Sequence, residues 1–372
     1  MAVFALSIHA DYRCRHSGAC CSADWDVPVE VPVYRTLRDA LDQGRVRPAA
    51  EAHDAPLVTG PDLPHGAGAM LARTASGDCI FFHRGTGLCV VHRDLGEPAL
   101  PATCRHFPRV AVRDARGTIL TLSHFCPTAA SMLFRDDLPL AIVESPAAFP
   151  PREYEGLVVH PDAWPPLLHP RMLMDLEGYS AWERHMVRRC ADPAVTPESV
   201  IATLMRDARV LRGWRPGGPS QVDAIGALPP EPVHAPAPAS LDASMRLYEE
   251  AVRAIPEDLT PPPDEAGLDT AFAALVAPAW GAQAAPIDRF LASKAFASWS
   301  AYQGHGIATI VRGLEAALAI LRVEAARQCR DARRPLDADL LHEAFRASDF
   351  VLNHLAVGED LARAWSAAEG RI

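Results

Sequence analysis

Seven of the chain's nine cysteines fall between Cys14 and Cys126: Cys14, the adjacent pair Cys20 and Cys21, then Cys79, Cys89, Cys104 and Cys126, with only Cys190 and Cys329 outside. Disulfides, buried apolar thiols and metal ligation compete to explain the group. An odd total with no export signal speaks against a secreted disulfide framework. Cys20 and Cys21 are not expected to pair with each other, because neighbouring Cα atoms about 3.8 Å apart lie closer than the roughly 4.4–6.8 Å of most disulfides. Burial as small hydrophobes suits Cys190 and Cys329, which sit in helical sequence. It suits the seven poorly, since they stand beside Gly, Pro, Arg and His in loop-like stretches such as Arg15-His16-Ser17-Gly18-Ala19 and Leu100-Pro101-Ala102-Thr103. Metal or cluster ligation is the expectation for Cys14, Cys20, Cys21, Cys79, Cys89, Cys104 and Cys126.

The spacing excludes several local motifs. No Cys-x2-Cys pair occurs, so neither a simple zinc ribbon nor a thioredoxin-like redox pair is present. The long separations require tertiary folding to bring the thiols together. Seven thiolates exceed the needs of one tetrahedral zinc, whereas a [4Fe–4S] cluster takes four and leaves three for packing, a second metal or reactivity. Arg13, Arg15, Arg105 and Arg109 flank the cysteines and either offset thiolate charge or form a solvated face. His16, His83, His92, His106 and His124 also lie near them, leaving mixed Cys/His ligation open beside surface and supporting roles. Gly66-Ala67-Gly68 and Gly85-Thr86-Gly87 lack the strand–helix context of a dinucleotide site and read as turns.

The surrounding pattern predicts an α+β chain: a small, loop-rich metal-binding N-terminal domain with a β-hairpin, followed by a mainly α-helical C-terminal domain. Residues 3–9 read as a strand, 25–30 as extended and 31–41 as helical, while 42–78, rich in Pro, Gly, Ala and Asp, reads as a long loop. Val110 and Val112 alternate with polar neighbours, Asp114-Ala115-Arg116-Gly117 supplies a turn and Ile119 to Leu122 answers it, so Cys104, just before one strand, and Cys126, just after the other, lie at the same open end of a hairpin. Helical pattern takes over from about residue 167. Thr196-Pro197-Glu198 is a strong helix start. Later helices are expected at 241–255, 266–278, 285–302, 305–330, 336–356 and 359–369, the stripe Ile307, Val311, Leu314, Leu318 and Leu321 being the clearest. The division expected is 1–150 for the cysteine domain, 151–214 for a helical connection, 215–240 for a Pro/Gly-rich linker and 241–372 for a helical bundle.

A length of 372 residues, 49% hydrophobic and 22% charged, is ample for folded cores. The formal charge of -10 disfavours sequence-independent nucleic-acid binding, which needs a basic face. Lys294 is the only lysine. The N-terminus lacks the positive region of a signal peptide, and no apolar run approaches the roughly 18 residues of a membrane span. A soluble, cytoplasmic protein without membrane partners is expected.

Cys14…Cys20-Cys21-x3-Trp25-x-Val27 with Tyr34, then Cys79, Gly87-Leu88-Cys89, Leu95-Gly96, Cys104-Arg105-x-Phe107-Pro108-Arg109 and Ser123-x2-Cys126-Pro127-x-Ala129-Ala130 resemble the flagellin lysine N-methylases, within a broader group of zinc- or iron-chelating cysteine-cluster proteins. The resemblance covers roughly residues 12–135. A fainter similarity follows at Phe290-Leu291, Phe296 and Ser348 to His354. No cysteine lies between Cys14 and the Cys20-Cys21 pair, where relatives often carry one, and Thr128 stands where an acidic residue commonly follows Cys-Pro. The resemblance implies an iron–sulfur protein, with S-adenosylmethionine as methyl donor and a protein lysine, such as one of flagellin, as acceptor.

Two other functions stand beside that enzyme: a structural zinc or iron site, and metal storage or delivery. Methyl transfer to lysine needs a neutral amine, hence a general base or a desolvated pocket. Asp24, Asp26 and Glu30 lie near the cysteine pair, although solvated carboxylates are the commoner meaning of such residues. The sequence names no catalytic base.

Overall fold

The computed structural model describes residues 2–49, 55–152, 154–160, 164–260 and 264–369. Helix and strand are mixed, as the sequence predicts. The chain divides into two units: one of residues 1–12, 110–125 and 129–372, the other Arg13–Arg109 with Cys126–Thr128. All seven clustered cysteines belong to the smaller unit, and Cys190 and Cys329 to the larger.

In the larger unit, the alternating sequence after residue 109 forms the expected hairpin of Arg109–Asp114 and Gly117–Leu122. Every residue of Gly117–Leu122 is buried, because the strand is central in a five-stranded sheet. Val3–Leu6 pairs parallel with it, Phe4 opposite Ile119, and antiparallel with Ile142–Glu144 on its other side. Leu157–Val158 adds to the far edge beside Arg109–Asp114. Non-local pairing sets this order, which local alternation does not encode.

Helices make up the rest of this unit. Thr196 Oγ1 accepts from Ser199 N at 3.3 Å and Pro197 occupies the first turn, so the Pro197–Leu211 helix starts where capping chemistry says it should. The Ile307–Ala332 helix buries the predicted stripe and packs against Ala338–Phe350, Asp242–Val252, Pro197–Leu211 and Ala284–Ala295. Three expectations need correction. The stretch from 167 opens with the strand pair Leu167–His169 and Met172–Leu173, and helix starts at Leu176. The helix expected over 285–302 ends at Ala295, since Phe296 turns extended and Ala297 takes φ 58°. Residues 215–240, expected as a linker, carry the helix Gln221–Gly226, capped by Ser220 and burying Ile225 in the same core as Trp182 and Leu204.

The smaller unit has its own core of Val29, Leu37, Ala40, Ile80, Phe81, Val90 and Val91. Val31–Asp42 is the predicted helix. The expected long loop at 42–78 contains two strands, Leu57–Val58 and Ala67–Leu71, which pair with each other, Ala67–Leu71 pairing on its other side with Pro28–Glu30. They are short and their partner is distant in sequence, so composition alone hides them. Residues 50–54 of that stretch lie outside the described residues. Among the described residues no helix is long and apolar enough to cross a membrane.

Candidate metal centre

The first thiols are placed by Gly18. It adopts φ 77°, and a Cβ there would come 2.4 Å from Cζ of Phe82, so only glycine fits beneath that ring. Its carbonyl accepts from Cys21 N at 2.9 Å and Ser22 N at 3.1 Å, winding Ala19–Cys21 into a 3-10 turn. The Cys21 carbonyl in turn accepts from Cys79 N at 2.7 Å, which joins the second cysteine segment to the first. Cys79 follows a turn closed by Thr74 N to the Asp78 carbonyl at 2.8 Å, and the buried Asp78 carboxylate holds Arg84 through Nη2 at 2.9 Å.

Cys89 sits opposite Phe82 in the small ladder of Phe82–His83 with Leu88–Cys89, whose turn uses Gly87 at φ 68°. Gly85-Thr86-Gly87 is therefore a turn, as its sequence predicts. Gly66, at φ 84°, also turns the chain, whereas Gly68 lies in a strand against Tyr34. Cys104 rides on the short helix Ala102–His106, where Glu30 Oε1 accepts from Ala102 N at 3.0 Å. Glu30, weighed above as a base, is thus a capping partner of the helix that carries a thiol.

None of the nine cysteines is in a disulfide. Cys20 Sγ lies 3.8 Å from Cys21 Sγ. Hydrogen bonding to Cys21 favours the thiolate of Cys20 and of Cys89, the latter lowered to about 7, while the same bonds push the Cys21 thiol up. Cys21 thereby acts as a shared S–H donor to two incipient thiolates. Burial pushes the Cys79 thiol up to about 12, and it raises Cys104, on which Cys20, Cys79 and Cys89 also act. Cys14, exposed yet raised by partial desolvation, feels both Cys20 and Cys126. These mutual influences link all seven thiols within one unit.

Among the described residues no three His, Cys, Asp or Glu side chains stand as a ready metal cage. The donor set nonetheless fits a thiophilic metal: seven sulfurs outside any disulfide, one pair already at the spacing of a tetrahedral site. With Zn–S bonds of about 2.3 Å, the sulfurs of such a site stand about 3.8 Å apart. Thiols that compete as weak donors and acceptors adopt positions that four thiolates around a cation would not.

Of the flanking basic residues, Arg109 lowers the Cys14 thiol electrostatically and bonds the Arg105 carbonyl through Nη1 at 3.1 Å, while Arg13 and Arg15 are exposed. Arg73, which favours the Cys79 thiolate, escaped sequence reasoning because it lies in the stretch read as a loop. His16 and His92 face one another at 5.4 Å between ring centroids, and His83 Nδ1 is engaged by Thr86. His124 belongs to the other unit: it is fully buried, its Nε2 is 3.3 Å from His9 Nε2, and Asp349 accepts from its backbone N–H. Asp24 is exposed beside Arg73 at 3.8 Å, and Asp26 is exposed. Compared with protein-family models, with curated proteins and with solved structures, the chain matches none.

Proposed function

We propose that the Arg13–Arg109 unit, completed by Cys126, is a thiolate centre for an iron–sulfur cluster. The observation that supports it is the assembly of all seven clustered cysteines, none in a disulfide and mutually interacting, in one unit, while the two helix cysteines belong to the other. Cys20, Cys21, Cys79, Cys89 and Cys104 form the denser group from which four ligands would come, with Cys14 and Cys126 beside them. Such a cluster supplies redox-active iron held by thiolate. Protein prepared anaerobically should be brown, absorb broadly near about 400 nm and bleach with dithionite. Stoichiometric zinc with no iron in that preparation would overturn the cluster.

The Cys20–Cys21 sulfur spacing of 3.8 Å favours a second reading, a structural zinc, because a four-iron cluster interposes iron and inorganic sulfur and spreads its thiolates further. Metal analysis of the same sample separates the two. The resemblance extends the first reading to an enzyme. A neutral lysine amine of a protein such as flagellin would attack the methyl carbon of S-adenosylmethionine, the sulfonium would leave as a thioether, and the ammonium proton would pass to a base. Labelled methyl donor with flagellin tests this, and no incorporation by cluster-loaded protein would leave a structural or delivery role. Nine cysteines without a disulfide suit a reducing cytoplasm.

A further inference from the structure

Away from the thiols, the larger unit contains a small cavity of about 20 Å³ lined by Leu168, His169, Arg209, Arg212, His305 and Gly306 among others. Its wall is cationic in a chain whose formal charge is -10. Arg209 and Arg212 lie three residues apart at the end of the Pro197–Leu211 helix, so they project from one side of it. Both are exposed, and no carboxylate among the described residues pairs with either. The acidic residues of that helix are already engaged: Asp207 by Arg206 and His185, Glu198 by Arg322 and Trp280. Most arginines elsewhere in this unit have a carboxylate partner, Arg116, Arg327 and Arg330 among them.

Other lining residues supply neutral donors. Arg171 N donates to His169 Nδ1 at 3.3 Å, which leaves Nε2 to carry the ring proton. Burial keeps His169 uncharged, and the charges acting on it are all arginines: Arg212, Arg215 and Arg171. Gly306 takes φ 95°, and a Cβ on it would lie 2.8 Å from His169 Cα. That close approach brings the start of the 26-residue Ile307–Ala332 helix, which has no side-chain cap, against the His169 backbone. The first-turn N–H groups of Ile307 and Ala308 have no intrahelical acceptor.

We propose that this cavity binds a phosphate group, as a phosphomonoester or as free phosphate. Two guanidinium groups match a dianion, and donors from several separate segments suit a tetrahedral oxyanion better than a planar carboxylate. The volume is that of about one water-sized group, so one phosphoryl oxygen would enter it and the rest of the ligand would stay outside, beside the two exposed guanidinium groups. This site is independent of any metal bound by the cysteines.

Titration calorimetry and thermal shift on the full chain test it, with inorganic phosphate, glycerol 3-phosphate and succinate as probes. Saturable binding of phosphate or glycerol 3-phosphate, weakened about tenfold or more in the Arg209→Ala/Arg212→Ala double variant, supports the site. Tighter glycerol 3-phosphate than phosphate assigns a phosphomonoester, and the reverse assigns the free ion. An Arg253→Ala/Arg363→Ala variant removes the same charge from exposed helix positions and should bind as the parent does. Equal weakening in both double variants, unchanged binding in the first, equal affinity for succinate, or no saturable binding would overturn the proposal. Hydrogen exchange gives a second reading: phosphate should slow the amides of 305–310 in the parent and not in Arg209→Ala/Arg212→Ala.

Discussion

Asp288 is 4% exposed and its Oδ1 has no hydrogen-bond partner among the described residues. Burial, with Glu198 and Asp192 adding to it, raises its carboxyl to about 8. A folded value above the unfolded one means that the native state holds this proton when the unfolded state has lost it, so stability falls as pH rises from about 4 to about 8. Asp288→Asn should therefore gain roughly 1–3 kcal/mol at pH 9 and progressively less toward pH 4. Melting temperatures of parent and variant across that range check this, and parallel curves would count against it. Cys190 and Cys329 make the complementary case. Both are buried in helices of the larger unit, so replacing both with alanine should leave the metal content of anaerobically purified protein unchanged.

Short elements carry the thiols, and their geometry depends on single residues. Gly18 and Gly44 both have positive φ, yet a Cβ on Gly18 meets Phe82 whereas one on Gly44 meets nothing within 4 Å. Gly18→Ala should cost about 2–4 kcal/mol from clash and backbone strain together, and Gly44→Ala only about 1 kcal/mol from strain. Chemical denaturation that found equal costs would show that the Phe82 ring moves aside. Glu30→Gln keeps the acceptor for Ala102 N, whereas Glu30→Ala removes it and should loosen the Cys104 helix by roughly 0.5–2 kcal/mol. The bases suggested by proximity to the cysteine pair were legible only as carboxylates. That Glu30 caps a helix far along the chain depends on a contact no local pattern records.

At the scale of the molecule, the two units differ in what holds them. The larger has an extensive helical core, while the smaller joins a modest core to short strands and turns. A structural zinc site contributes roughly 10–16 kcal/mol of apparent binding energy, against about 5–15 kcal/mol for the stability of a typical domain. With a metal bound as proposed, stripping it should loosen the smaller unit and spare the larger. Limited proteolysis after chelation should cut within 13–109 and leave a C-terminal fragment beginning beyond it. Equal resistance with and without chelator would mean that the thiols do not staple the fold.

The hairpin, the Thr196 helix start and the stripe on the Ile307–Ala332 helix follow from alternation, capping and 3.6-residue periodicity, so sequence alone determined them. It also singled out the seven cysteines, through the polar, loop-forming company they keep. Only the tertiary structure decided that Val3–Leu6 joins the hairpin's sheet, that Ala67–Leu71 is a strand, and that Arg73 and Glu30 serve the thiols. It likewise set Arg209 and Arg212 beside His169 and the start of the Ile307–Ala332 helix. The reason is physical: periodicity and capping act within a few residues, whereas strand pairing and charge proximity are fixed by which distant segments share a core.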